Sequence, residues 1–174
     1  MVLLIDSHPR QDWLVRAVVR RVREELAKLK VEINEEKSRM VDLSKEESFC
    51  FLGFEFRLIR SRFGKWWPQY VPRLQKRTAL LARLKTVFRR YLSQPVERVI
   101  EQINPILRGW VNYFAAGHSS QCFSFISQWV QRKIRRHLMR AQGRQGFGWK
   151  RWSRDWLYNT LGLFHDYRVR WQRA

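Results

Sequence analysis

The sequence predicts an α+β chain, mostly helical: a helix plus a small antiparallel sheet over residues 1–71, then a helical region over 72–174. Three observations predict it. Apolar residues follow mixed helical and alternating spacing up to Pro72 and helical spacing alone after it. A hydrophobic fraction of 45% with 14% aromatics supports a packed core and excludes a disordered basic tail. Finally, the charge changes character along the chain: residues 1–59 hold 11 Lys and Arg against 11 Asp and Glu, and the rest holds 24 against 4.

Met1 to Ile5 reads as a short buried strand. Leu14, Val18, Val22, Leu26 and Leu29 recur at helical spacing, which predicts an amphipathic helix from about Gln11 to Lys30. Val31 to Ile33, Arg39 to Leu43 and Phe49 to Ile59 read as strands, the last with one buried face and a bulge or close approach at Gly53. Ser61 to Lys65 turns the chain into a further strand at Trp66 to Val71. From Arg73 to Leu92 the spacing predicts a helix with Leu74, Leu81, Leu84 and Phe88 inward. Ser93 and Pro95 start the next, Asn104-Pro105 predicts a kink or restart, and Ala116-Gly117 ends it. A last helix capped by Ser119 or Ser120 runs to about Arg140, with Phe123, Ile126, Val130, Ile134 and Leu138 inward. Gly143, Gly146 and Gly148 mark a cationic loop before the aromatic segment Trp149 to Trp171.

The formal charge of +20 and a pI near 11.2 point to a polyanionic partner, nucleic acid first. No apolar run is long enough to cross a bilayer and no signal peptide is evident, so no membrane partner is expected; the expected location is the cytoplasm of a bacterium, or an organelle. Cys50 and Cys122 are isolated and read as buried thiols. Interleaved cations and aromatics form the candidate RNA-binding set: Lys76, Arg77, Arg83, Arg89, Arg90, Arg132, Lys133, Arg135, Arg136, Arg140, Arg144, Lys150, Arg151, Arg154 and, as a stacking platform, Trp152. The competing reading of each is a solvated helix face or, for Trp152, core.

Two stretches carry a family resemblance. Phe51-Leu52-Gly53-Phe54, preceded by Val31-Glu-Ile-Asn34-Glu-Glu-Lys37-Ser-Arg39, resembles the end of the palm in reverse transcriptases encoded by group II introns, where a leucine-asparagine-x-x-lysine stretch leads to the primer grip. Ile103-Asn-Pro-Ile-Leu-Arg108-Gly-Trp110-Val-Asn112-Tyr113-Phe114 is similar to the signature of the maturase-specific region of that family, the thumb or domain X. Leu161-Gly-Leu163-Phe164 and Asp166-Tyr167 fit as well. The resemblance implies a truncated reverse-transcriptase palm followed by a helical, RNA-binding thumb, with Phe51, Leu52, Gly53 and Phe54 primer-grip-like and Lys37 the palm lysine. Arg108 and Asn112 either brace their helix or reach RNA.

What the resemblance implies in function is a maturase-type factor that binds structured group II intron RNA and assists ribozyme folding and splicing. The aspartates that hold catalytic metals in the family do not occur in these 174 residues, and Asp6 and Asp12 do not stand in their place. Polymerisation through two metal ions needs such carboxylates. The expectation is therefore no catalytic residue, no metal ligand and no cofactor for the isolated chain, with magnesium needed only if the missing palm completes it. The alternatives are one half of a divided RNA-directed DNA polymerase completed by a separate fingers and palm polypeptide, a generic DNA-binding protein, and a remnant reading frame.

Overall fold

The computed structural model describes residues 2–5, 12–146 and 148–170. Met1, Asp6 and the side chains of Asp12 and Lys37 lie outside the described residues, so the readings placed on them stay expectations. The elements run α1 (Asp12–Lys28), two short 3-10 turns, β1 (Ser48–Phe51), β2 (Phe54–Arg60), β3 (Trp66–Pro72), α2 (Leu74–Arg90), α3 (Val96–Tyr113), α4 (Ser120–Ala141) and a short π-turn at Trp156–Thr160. The three strands form one antiparallel sheet in sequence order. This is the expected α+β, mostly helical architecture.

Helix α1 carries its charges as internal pairs, Arg21 to Glu25 at 2.8 Å and Lys28 to Glu25 at 3.0 Å, with Arg23 reaching Glu35 at 2.9 Å. Exposed pairs of this kind contribute less than about 1 kcal/mol each. Three expected strands are not strands. Val2, Leu3 and Leu4 are exposed and irregular, with no ladder to join. After α1 the chain closes through Lys30 in the left-handed region, its N–H and that of Val31 bonding to Ala27 and Leu26, which spends the donors that a strand at Val31 would need. Between Arg39 and Leu43, Asp42 accepts from the Ser44 amide at 3.0 Å and hydroxyl at 2.6 Å, and this local turn displaces the expected strand.

The single strand expected over Phe49 to Ile59 is a tight hairpin. Leu52 (φ 47°) and Gly53 (φ 80°) form its two-residue turn, and Phe51 pairs with Phe54. Gly53 is therefore a turn residue and not a bulge. Its unusual partner Leu52 is held by the Tyr113 hydroxyl, which donates to the Leu52 carbonyl at 2.9 Å.

Helices α2, α3 and α4 pack through Leu80, Leu84 and Phe88, through Val99, Ile100, Ile103 and Leu107, and through Ile126, Val130 and Ile134. On α2 the inward stripe differs from expectation: Leu80 is inside, Leu81 is half-buried and Leu74 is exposed, because Leu74 lies in the first turn beyond the reach of the bundle. Leu138 of α4 is likewise only half-buried. The expected kink at Asn104-Pro105 is absent and α3 is continuous. Pro105 faces outward while Ile103 and Leu107 anchor both halves, and Asn104 does not cap a second helix. Its side chain donates to Gly162 O at 2.8 Å and accepts from the Phe164 N–H at 2.9 Å, tying down the C-terminal segment. Of the two cysteines expected to be buried, Cys50 is exposed on β1 and Cys122 is half-buried, its thiol pushed up by burial.

Sheet and helices share a second core in which Phe54 of β2 meets Phe114 edge-on at 5.0 Å beside Val111 and Phe123. Tyr70 of β3 closes this joint: its carbonyl accepts from the His118 N–H at 2.9 Å in the loop between α3 and α4. That loop turns at Gly117 (φ 81°), where a Cβ would run into the Tyr70 ring. Gly117→Ala should destabilise the chain by about 1–3 kcal/mol from backbone strain alone, with the ring clash added; urea unfolding measures it, and an unchanged midpoint contradicts the packing described.

Candidate nucleic-acid interface

Helical spacing sets the site. Lys85 and Arg89 are one turn apart on α2, and Lys133, Arg136 and Arg140 recur on one side of α4. Because Leu84 and Phe88 pack α2 against Val130 and Ile134 of α4, these cations flank a single open cleft. Arg144, just past α4, completes the rim, Phe88 lies at the floor, and the cleft has a volume of about 640 Å³. None of its lining residues is Asp or Glu. The crowding is legible on Lys133, whose amine is driven below the usual lysine range, first by burial and then by repulsion from Arg136, Lys85, Arg89 and Arg140. Its ammonium also lies 5.4 Å from the centre of the Trp129 ring. Such a cluster repels itself until an anion enters, and a phosphodiester has the matching charge.

His137 also lines the cleft but serves the scaffold. It is buried, and its Nε2 lies 2.9 Å from the Gln94 carbonyl, joining α4 to the turn between α2 and α3. Lys85 is missing from the sequence-derived set. Its spacing with Arg89, four residues apart on the polar side of α2, is the signal that finds it.

The expected set is not one surface. Arg89, Lys133, Arg136, Arg140 and Arg144 meet in the cleft. Lys76 lies at the sheet joint, its stem bordering Gly53, whereas the Arg77 guanidinium sits against α4, 4.6 Å from the centre of the Phe125 ring. Arg83, Arg90 and Arg132 are exposed elsewhere on their helices, and Arg108 and Asn112 share an outer face of α3 one turn apart. Lys150, Arg151 and Arg154 are exposed on the C-terminal segment, where Arg151 donates to Gln142 Oε1 at 2.6 Å. The primer-grip-like residues form the hairpin turn already described, with Phe51 half-buried, Leu52 exposed and Phe54 in the core.

Two expected RNA contacts are corrected. Arg135 is 2% exposed: its Nε donates to the Trp152 carbonyl at 2.9 Å, Nη1 reaches Gln131 Oε1 at 3.4 Å, and the guanidinium lies 4.2 Å from the centre of the Trp149 ring. Burial, with Arg154 adding repulsion, holds its pKa below the usual arginine value. Gln131 in turn donates to Ser127 Oγ at 3.1 Å and Tyr158 OH at 2.8 Å. Ser127, Gln131 and Arg135 thus form a polar ladder along α4 that holds the C-terminal segment. Trp152 is buried as well, its ring lying where a Cβ on Gly148 (φ 64°) would strike it. Among the described residues of this segment Trp149, not Trp152, is the exposed large aromatic.

Residues 77–159 match the family model of the group II intron, maturase-specific domain. The match spans every residue of the cleft and the Arg108 to Tyr113 stretch, so it is this helical region that is similar to the maturase-specific domain. It does not extend to the sheet or α1. A comparison with curated proteins gives no match. Among the described residues no helix is long and apolar enough to cross a membrane.

The ladder and the cleft make opposite demands on arginine. Arg135→Ala should lower stability by about 2–3 kcal/mol, since it strands the Trp152 carbonyl inside the protein. Arg140→Ala, on the exposed rim, should change it by less than about 0.5 kcal/mol. Equal midpoints for the two variants in urea unfolding contradict the assignment of Arg135 to the scaffold.

Proposed function

We propose that the chain binds structured group II intron RNA through the cleft between α2 and α4 and so assists folding and splicing of the ribozyme as a maturase-type factor, without polymerase activity of its own. The observation that carries this reading is the six-cation cleft, free of carboxylate lining, inside the matched maturase-specific domain. Phosphates on either side of a folded RNA strand replace the mutual repulsion of Lys85, Arg89, Lys133 and Arg140 with attraction, and counterions are released as they do so. Arg108 and Asn112 on α3, with Lys150, Arg151 and Arg154, offer further polar contacts outside the cleft. The cations of α1 are poorer candidates, because Arg21 and Arg23 already face Glu25 and Glu35.

A second reading, completion of a divided RNA-directed DNA polymerase by a separate palm polypeptide, is favoured by one feature. Val2, Leu3, Leu4, Trp13 and Val19 are exposed, and no residue of α1 that can be described is buried. An apolar stripe of this kind invites a cover. Static light scattering on the chain alone, then with a palm fragment, tests it; a monodisperse monomer that ignores the fragment removes its support.

For the first reading the test is a salt titration of affinity for a group II intron RNA. Replacing Lys85, Arg89, Lys133 and Arg140 together by Gln should weaken binding and flatten the slope of log affinity on log salt by about three, at about 0.7–0.9 for each phosphate that is no longer neutralised. Replacing Arg16, Arg20, Arg21 and Arg23 should change the slope by less than about one. Equal effects from both clusters place the binding surface elsewhere.

A further inference from the structure

The hairpin joining β2 to β3 is outside both the cleft and the matched family region. Its tip is closed by Ser61, whose N–H donates to the Lys65 carbonyl at 2.7 Å and whose hydroxyl accepts from the Phe63 and Lys65 amides at 3.3 and 3.2 Å. Gly64 (φ 79°) completes the turn. On this ordered tip stand three large aromatics in water: Phe63 is 78% exposed, Trp66 47% and Trp67 57%. None of them belongs to either hydrophobic core. Arg60 pairs with Trp66 and Ile59 with Trp67 in the ladder, so the two tryptophans fall on opposite faces of the hairpin and Arg60 shares the face of Trp66. The Arg62 guanidinium lies 5.0 Å from the centre of the Phe63 ring.

The charge along this stretch of chain is one-sided. Between Glu55 and Glu97 the chain contains no acidic residue, and the hairpin itself contributes Arg57, Arg60, Arg62 and Lys65. Exposed aromatic area of this size costs solvation and normally marks a binding surface. A polypeptide partner would need its own acids to meet four cations. An unpaired RNA strand meets both demands at once, since its bases stack on the rings and its phosphates neutralise the cations.

We propose that the β2–β3 hairpin tip is a stacking site for unpaired RNA bases, with Trp66 offering a ring on one face, Trp67 on the other and Phe63 at the turn, and with Arg60, Arg62 and Lys65 holding the flanking phosphates. The proposal rests on the reading that the chain binds RNA, but adds a second binding surface of different chemistry. The cleft takes phosphates of folded RNA, whereas the tip takes bases that no helix has paired.

The experiment uses the full chain and two probes, an oligouridine strand and a blunt RNA duplex of equal phosphate count. Phe63→Ala, Trp66→Ala and Trp67→Ala together should weaken binding of oligouridine by about fivefold or more, the low end for loss of a stacked base, while leaving the salt slope unchanged and duplex affinity within about twofold. Trp66→Phe with Trp67→Phe, which keeps the rings, should retain most of the affinity, and circular dichroism checks the fold of each variant. The four-residue cleft variant should lose affinity for the duplex and flatten its salt slope. Unchanged oligouridine affinity in the triple variant, or equal loss on both probes, overturns the stacking site while the cleft reading stands. A wild-type chain that binds neither oligouridine, duplex nor intron RNA overturns both.

Discussion

Self-repulsion is the constraint that the rest of this structure answers. A chain carrying +20 must bury enough neutral surface to hold together in water before any polyanion arrives. Helix α3 supplies it: Glu97, Arg98, Glu101 and Arg108 cancel, and Val99, Ile103, Leu107 and Val111 are almost fully enclosed. With one charge-balanced helix in the bundle, α2 and α4 can place their cations on the outside while the core stays neutral. The last turn of the same helix reaches the sheet, since Val111 and Phe114 pack on Phe54 while Tyr113 holds the hairpin carbonyl of Leu52. The two stretches that carry the family resemblance are therefore one physical joint.

The second consequence concerns which cations are available. Arginine has a long apolar stem and a rigid fork of donors, so it can act as a scaffold residue as well as a ligand for phosphate. Arg135 is the scaffold case, its buried guanidinium satisfied by a carbonyl and an amide and covered by the ring of Trp149. One residue further on, Arg136 faces the cleft. The difference is a rotation of about 100° around α4, and it decides whether a positive charge works for the fold or for the ligand.

Much of this was legible in the sequence. The period change at Pro72, the four helices and the buried stripe Phe123, Ile126, Val130 and Ile134 follow from apolar spacing, and the neutral first part and basic second part follow from counting. What was not legible depended on contacts distant in the chain. Leu52-Gly53 lacks the Asn-Gly chemistry of a two-residue turn, and its conformation is held by Tyr113, sixty-one residues away. Asn104-Pro105 reads locally as a helix start, yet Asn104 is engaged with Gly162 and Phe164 across the fold. Arg135 and Trp152 look like their exposed neighbours in any window of sequence, because the segment that buries them lies beyond a glycine loop. Composition overstated how many cations face a ligand, and it hid Lys85, whose significance lies in its pairing with Arg89 across from α4.

Cations and exposed aromatics are also sorted in space. Beside the cleft the rings at hand, Phe88 and Trp129, meet edge-on at 6.3 Å and are partly committed to the core, so on the proposed reading the cleft holds phosphates by charge and shape and not by base stacking. At the hairpin tip the proportions reverse, with three rings presented on a turn whose backbone is fixed by Ser61. A surface made of charge alone binds any polyanion, and a surface made of rings alone binds any flat apolar group. If both proposed surfaces bind, the ligand that suits them offers closely spaced phosphates in one place and unpaired bases in another. A folded RNA with helices and loops meets that demand, and a uniform duplex does not.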